Sequence, residues 1–349
     1  MRPLLRAATD TILNPAADRA AIRSAVFELH ELFSTIGGVR EDHGRPELDR
    51  DAWLAGGMAV SPLLAARCLT EVYRTAQFLR GVYAAIGAAM QRFPGQRLQI
   101  LYPGCGPFAT LLLPLTSQFG PEQIEITLIE AQPQSVQSVR RLIDALGLDA
   151  WFAAVVQGDA LDYRHPPGQP LHMLVLEVMQ GALAREPQAA LTLHLLPQLA
   201  PGGILVPQKI VVDACLTSQA REDFATLERR DATGFPVDHS NLARQRIPLG
   251  RLLELSSDSA AGCGSNGHAG RWPPVTVAVP SRPAEENQFM LLTTVHIFGD
   301  VVIRDYESEV SHPVILYDLN SVASGAEIEF TYATGSKPGF HYTVAESRP

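Results

Sequence analysis

The stretch RLQILYPGCGPFATLLLPL, from Arg97 to Leu115, decides how this chain is read. Leu98 to Tyr102 is a short apolar run that predicts a buried β-strand. Gly104 and Gly106 predict a turn, and the apolar residues from Phe108 onward predict a helix. Strand, glycine turn and helix make the first crossover of a doubly wound sheet. Glycines let backbone N–H groups come close to a ligand, and a helix starting there offers its positive end to an anionic group. The stretch therefore points to a nucleotide-type ligand, with a glycine turn that holds nothing as the alternative.

The pattern continues outward in both directions. From Leu98 to Pro207, strands alternate with helices: Ile124 to Ile129, Ala153 to Val156, His172 to Leu176 and Ile204 to Val206 read as the later strands, and Gln134 to Leu146 and Gln188 to Leu199 as helices. That alternation implies a parallel sheet, an α/β fold with a Rossmann-like core. Residues 1 to 95 read as mostly helical, with Val39 to Arg50 as an exposed loop and Leu63 to Phe93 as a long helix that Gly81 could divide. After Pro207, short strands with Gly and Pro turns predict a C-terminal antiparallel, β-barrel-like part. The expected boundaries are 1–95, 96–207 and 208–349.

Composition sets limits. The 349 residues are too many for one small core, and 46% apolar with 19% charged content is that of a globular protein. A net charge of −9 argues against a general nucleic-acid surface and mildly favours a cationic substrate. The four cysteines, Cys68, Cys105, Cys215 and Cys263, show no metal-type pairing and read as free thiols of a cytoplasmic protein. Cys263 and His268 lie in a small polar stretch, Ser256 to Gly270, read as a loop rather than a metal site. No run reaches the ~20 apolar residues of a membrane span, and the N-terminus is too polar for a signal peptide.

In a parallel sheet the ligand sits at the carboxyl ends of the strands. Glu130 ends the second strand, where an acid accepts both hydroxyls of a ribose. Asp159 follows the third, where a carboxylate or its neighbours meet an adenine amino group, and Glu177 follows the fourth. Acids at three successive strand ends are the layout of an S-adenosylmethionine site. A dinucleotide site fits less well, although Ala109 is a tolerated third position of a Gly-x-Gly-x-x-Gly run.

The segments LTEVYRTAQFLRGV, ILYPGCGPF, LIEAQ, LEVMQGALAREP and LAPGGILVP occur in that order between Leu69 and Pro207. Together they resemble the class I methyltransferases of the protein arginine methyltransferase type, over about residues 60 to 210. The resemblance implies that Arg74 grips the donor's carboxylate, and that Glu177 and Glu186 hold a guanidinium and turn its nitrogen toward the methyl group. It implies a donor site made of Arg74, Tyr102, Gly104, Cys105, Gly106, Glu130, Ala131, Asp159, Ala160 and Glu177. It sets His312, in Ser311–His312–Pro313, at the family's Thr-His-Trp loop, where it assists proton removal or braces the glutamates. The family's dimer arm has a counterpart in Arg221 to Leu242, so a homodimer is compatible with it.

The departures also carry meaning. Tyr102 stands where the family has an acid and Phe108 where it has a glycine. Val178 and Gln180 to Leu183 replace the aromatic residues that wall the family's narrow channel. The expected activity is thus methyl transfer from S-adenosylmethionine to a guanidino or amino nitrogen of a small acceptor. Protein arginine methylation and O-methylation, with Glu177 or His312 as base, are alternatives. A donor-binding module without catalysis is a more distant one.

Overall fold

The computed structural model describes residues 1–41, 44–260 and 270–345. Cys263 and His268 lie outside the described residues. Five strands form the parallel sheet: β3 (Leu98–Pro103), β4 (Ile124–Glu130), β5 (Phe152–Gln157), β6 (Leu171–Val175) and β7 (Leu199–Val206). Their order is β5-β4-β3-β6-β7 and every pairing is parallel. The order reverses direction beside β3, so the glycine turn after it lies at the switch point where such sheets bind ligands. All five residues of β6 are buried, as expected for an inner strand covered on both faces.

One expectation fails at the opening stretch. No helix starts at Phe108. The chain passes through turns and then a short 3-10 helix, Pro114–Ser117. Pro107 and Pro114 lack an N–H, and Ala109 adopts φ 44°, in the left-handed region. The apolar residues Leu111, Leu112, Leu113 and Leu115 are nevertheless buried, so their hydrophobicity packs the core without forming a helix. The glycine turn therefore relies on its own N–H groups, with no helix end behind it.

The N-terminal region holds α1 (Arg2–Leu13), α2 (Arg19–Gly37), α3 (Pro62–Cys68) and α4 (Val72–Arg92). Asp18 caps α2 by accepting from Ala20 N–H, and Gly38 ends it at φ 71°. The predicted long helix does divide, but at Leu69–Glu71 and not at Gly81. Gly81 lies inside α4, where its missing side chain lets Ile297 pack close. Val72, Thr75, Ala76, Leu79, Val82, Ile86 and Ala89 make the buried stripe of α4. The helix packs on β6 and β7 and also on the antiparallel strands, so it joins the two sheet systems. The expected loop Val39 to Arg50 includes a 3-10 turn, Pro46–Asp49, with Leu48 buried. A small hairpin, β1 (Ala52–Leu54) and β2 (Gly57–Ala59), follows it.

Beyond Pro207 the chain forms two antiparallel sheets. One is β12 (Val301–Ile303), β11 (Gln288–Phe298), β8 (Lys209–Thr217) and β9 (Ile247–Ser256) in that order, with β13 (Val314–Ile315) also on β11. The other is β10 (Val275–Ala278), β14 (Glu327–Ala333) and β15 (Gly339–Ala345). Strand β9 has no clear signature in the sequence because register shifts against β8, at Val212/Asp213 and Ala214/Cys215, break its alternation. Strands β12 and β13 are short: Tyr306, beyond the first, takes φ 62°, and Tyr317–Leu319, beyond the second, is a 3-10 turn. No described helix is long and apolar enough to cross a membrane.

A buried ion pair ties this region together. Arg246 donates to both Glu222 oxygens, at 2.8 and 2.9 Å, and to Asp305 at 2.6 Å. Thr217 and Tyr306 hydroxyls also donate to Glu222. Removing one partner leaves a buried charge uncompensated. Arg246→Met should lower unfolding stability by about 3–5 kcal/mol in denaturant titration, and Glu222→Leu with Arg246→Met by less. A loss under ~1 kcal/mol for the single change would mean that the pair carries no such constraint.

Candidate active site

A cavity of about 740 Å³ opens at the carboxyl ends of the parallel strands. Every residue singled out in the sequence lines it: Arg74, Tyr102, Gly104, Cys105, Gly106, Glu130, Ala131, Asp159, Ala160, Glu177, Glu186 and His312. They come from six separate parts of the chain, brought together by the sheet order and by α4.

On the floor, Gly104 has φ +66°, and a Cβ there would also run into Val178 Cγ1, so only glycine fits. Glu130 Oε2 accepts from Gly106 N–H at 2.8 Å and Oε1 accepts from Gln132 N–H at 2.8 Å. Burial raises its pKa, and these backbone donors pull it back. With Ala131 N–H also acting on it, the carboxylate still has acceptor capacity left for a hydroxyl of a ligand. Asp159 accepts from Leu161 N–H at 2.9 Å, which fixes the turn after β5. Tyr102 is buried, and burial pushes its hydroxyl well above the ordinary phenol value, so it serves as a neutral hydrogen-bonding group.

The charged centre lies at the start of α4. Arg74 donates to Glu177 Oε2, and its other Nη is 3.5 Å from Glu71. Burial opposes its charge, but Glu177, the Cys68 thiol and Glu71 hold its pKa well above the usual value. The second oxygen of Glu177, Oε1, is buried with no partner. Burial raises the pKa of Glu177 although Arg74 lowers it. Glu186 is pushed up to about 7, first by burial and then by the like charge of Glu177. The two glutamates are thus electrostatic neighbours, with one orphan oxygen between them and the cavity.

The loop carrying both glutamates has an unusual backbone. Ala182, Leu183 and Arg185 take φ of 55°, 55° and 67°. Four hydrogen bonds from distant segments hold it. Ala182 N–H donates to Thr293 Oγ1 at 2.8 Å, and Tyr332 hydroxyl donates to Leu183 C=O at 2.8 Å. Arg185 N–H donates to Pro338 C=O at 3.1 Å, and Met58 N–H to Arg185 C=O at 2.7 Å. Gly181 lies so close under His312 C=O that a side chain there would collide with it. The His312 ring packs edge-on against Tyr306 at 5.6 Å, its Nδ1 buried and unpartnered. Burial, then the charge of Arg229, lowers its pKa, so the ring is held neutral and able to take a proton.

Several lining residues had no clear signal in the sequence. Cys68, at the end of α3, touches the Arg74 guanidinium with Glu177 and Glu186 nearby, and burial raises its pKa. Glu71 accepts from Arg230 at 2.5 Å and from Glu309 N–H at 2.7 Å. Its position, three residues before Arg74 on the same helix face, was the available clue. Leu54 and Met58 of the β1–β2 hairpin line the cavity as well. Among the described residues no group of three or more His, Cys, Asp or Glu could hold a metal ion.

No family model matches this chain, and no curated protein matches it in sequence. Solved structures do match in shape. One is the Trypanosoma brucei PRMT1 enzyme–prozyme heterotetrameric complex with AdoHcy, at 12% identity and a TM-score of 0.51, covering 80% of this chain and 92% of that one. The fold, a five-stranded parallel sheet followed by antiparallel sheets, is therefore similar to that of this PRMT1 structure.

Proposed function

We propose that the protein is an S-adenosylmethionine-dependent methyltransferase acting on a guanidino or amino nitrogen of a small cationic acceptor. The observation that carries this reading is the buried pair Glu177 and Glu186, with Glu177 Oε1 unpartnered at the cavity and Arg74 beside it. The residues fit the donor: Arg74 for its carboxylate, Glu130 for its ribose hydroxyls, Asp159 for its adenine amino group, and the Gly104 turn for close backbone approach. The spent donor AdoHcy in the PRMT1 neighbour agrees with this assignment.

S-adenosylmethionine bound there would supply an electrophilic methyl group on a sulfonium sulfur, open to in-line attack by a nitrogen lone pair with sulfur as the leaving group. The protein's share is alignment and proton handling. Glu177 and Glu186 accept hydrogen bonds from the cationic group and orient its nitrogen. Glu186 or neutral His312 takes the proton that the nitrogen must lose, from an ammonium before attack and from a guanidinium as it is methylated. Leu54 and Met58 favour a small acceptor, because the hairpin they belong to is hydrogen-bonded onto the glutamate loop and bounds the chamber on that side. Exposed Phe224 and Leu227, on the helix Gln219–Leu227, are consistent with a second copy binding there.

Two measurements test the reading. With methyl-labelled donor and a panel of guanidino and amino compounds, Glu177→Gln should cut turnover roughly 10²–10³-fold. Near-normal turnover in that variant would sink the cation-holding role. Acceptor affinity should rise as pH climbs from about 6 to about 8, as Glu186 ionises, and Glu186→Gln should flatten that rise. Stability runs the other way: the folded value near 7 exceeds the ordinary carboxyl value of 4.5, so the contribution of Glu186 is full below 4.5 and lost as pH rises through about 7. Affinity independent of pH in the wild type would remove Glu186 from the site.

A further inference from the structure

Arg230 lies on the cavity wall that also includes Glu309, Val310, His312 and Pro313. Its Nη2 donates to Glu71 at 2.5 Å and lies 3.5 Å from Glu309. Its Nε is buried with no hydrogen-bond partner. A guanidinium is a fork of five donors that suits a carboxylate, and Arg230 lines the chamber with one of those donors unpartnered.

The charges around it are unevenly shared. Glu309 pairs with Arg229 at 2.9 Å as well as with Arg230. Glu71 divides itself between Arg230 and Arg74. Arg229 and Arg230 thus meet Glu309 and a Glu71 that is shared with Arg74, and both depress the pKa of His312 on the same wall. At the other end of the relay Arg230–Glu71–Arg74–Glu177, the two buried glutamates make the chamber negative. Arg230 stands one carboxylate and one guanidinium away from Glu177. A chamber with opposite ends of opposite sign complements a molecule of the same polarity.

We infer that Arg230 binds a carboxylate of the acceptor, so that the acceptor is a free zwitterionic amino acid with its reacting cationic nitrogen on Glu177 and Glu186. This rests on reading those glutamates as a cation site. Arg74 then serves the donor's carboxylate and Arg230 the acceptor's, and the shared Glu71 holds the two guanidiniums in place.

The test is calorimetry on protein saturated with S-adenosylhomocysteine, comparing L-arginine with agmatine and L-lysine with cadaverine. Each pair shares its cationic groups and differs by the carboxylate. At least one amino acid should bind tenfold or more tighter than its decarboxylated partner. Arg230→Gln should bring that ratio within about twofold with the amine's affinity little changed. Arg230→Lys, which keeps the charge on Glu71 but removes the free Nε–H, should also narrow it. Amines that bind as well as the amino acids, or a ratio unchanged in both variants, would overturn the inference and leave the cation site standing. Failure of all four compounds to bind would overturn both.

Discussion

The site depends on holding the Glu177–Glu186 loop in a conformation it would not adopt alone. Three non-glycine residues in the left-handed region cost about 1–2 kcal/mol each, and four hydrogen bonds of about 0.5–1.5 kcal/mol each offset them. Those bonds come from both flanking regions: Met58 from the N-terminal hairpin, and Thr293, Tyr332 and Pro338 from the antiparallel sheets. The loop is therefore stable only when all parts of the chain are folded against it. This links the distant sheets to the chemistry, since a loop freed from these bonds would relax and separate the glutamates.

The second constraint is electrostatic. Arg74, Glu71, Glu177 and Glu186 are largely removed from water, where charges are costly unless paired. Arg74 compensates Glu177 on one oxygen only. The other oxygen and the raised pKa of Glu186 leave the centre short of positive charge, so a cationic ligand relieves an existing imbalance. Glu71 extends the same network to Arg230 and so couples the start of α4 to the C-terminal region.

Much of this was legible in the sequence, for identifiable reasons. The inner parallel strands β3, β4 and β6 are largely buried, so their apolar runs between Gly and Pro turns are plain, and acids follow the strand ends on one side of the sheet. Glu130, Asp159 and Glu177 could be found that way. The helix expected after Gly106 was misread because Leu111 to Leu115 are apolar for burial, while Pro107, Ala109 and Pro114 govern the backbone. Strand β9 was missed because its bulges disrupt the period of two. Glu71, Cys68 and Arg230 were missed because they act through contacts across the fold, which local spacing does not encode. The three left-handed residues lack the glycines that would announce them; the hydrogen bonds that impose the strain come from residues 58, 293, 332 and 338.

The central claim is that this cavity holds the methyl donor with Arg74 on its carboxylate. Calorimetric titration with S-adenosylhomocysteine tests it most directly. The account predicts saturable binding of one molecule per chain, weakened about tenfold or more by Arg74→Ala, the loss expected for a charge-assisted pair. Absence of binding to the wild-type protein would contradict the account, and unchanged affinity in the variant would remove Arg74 from the donor site.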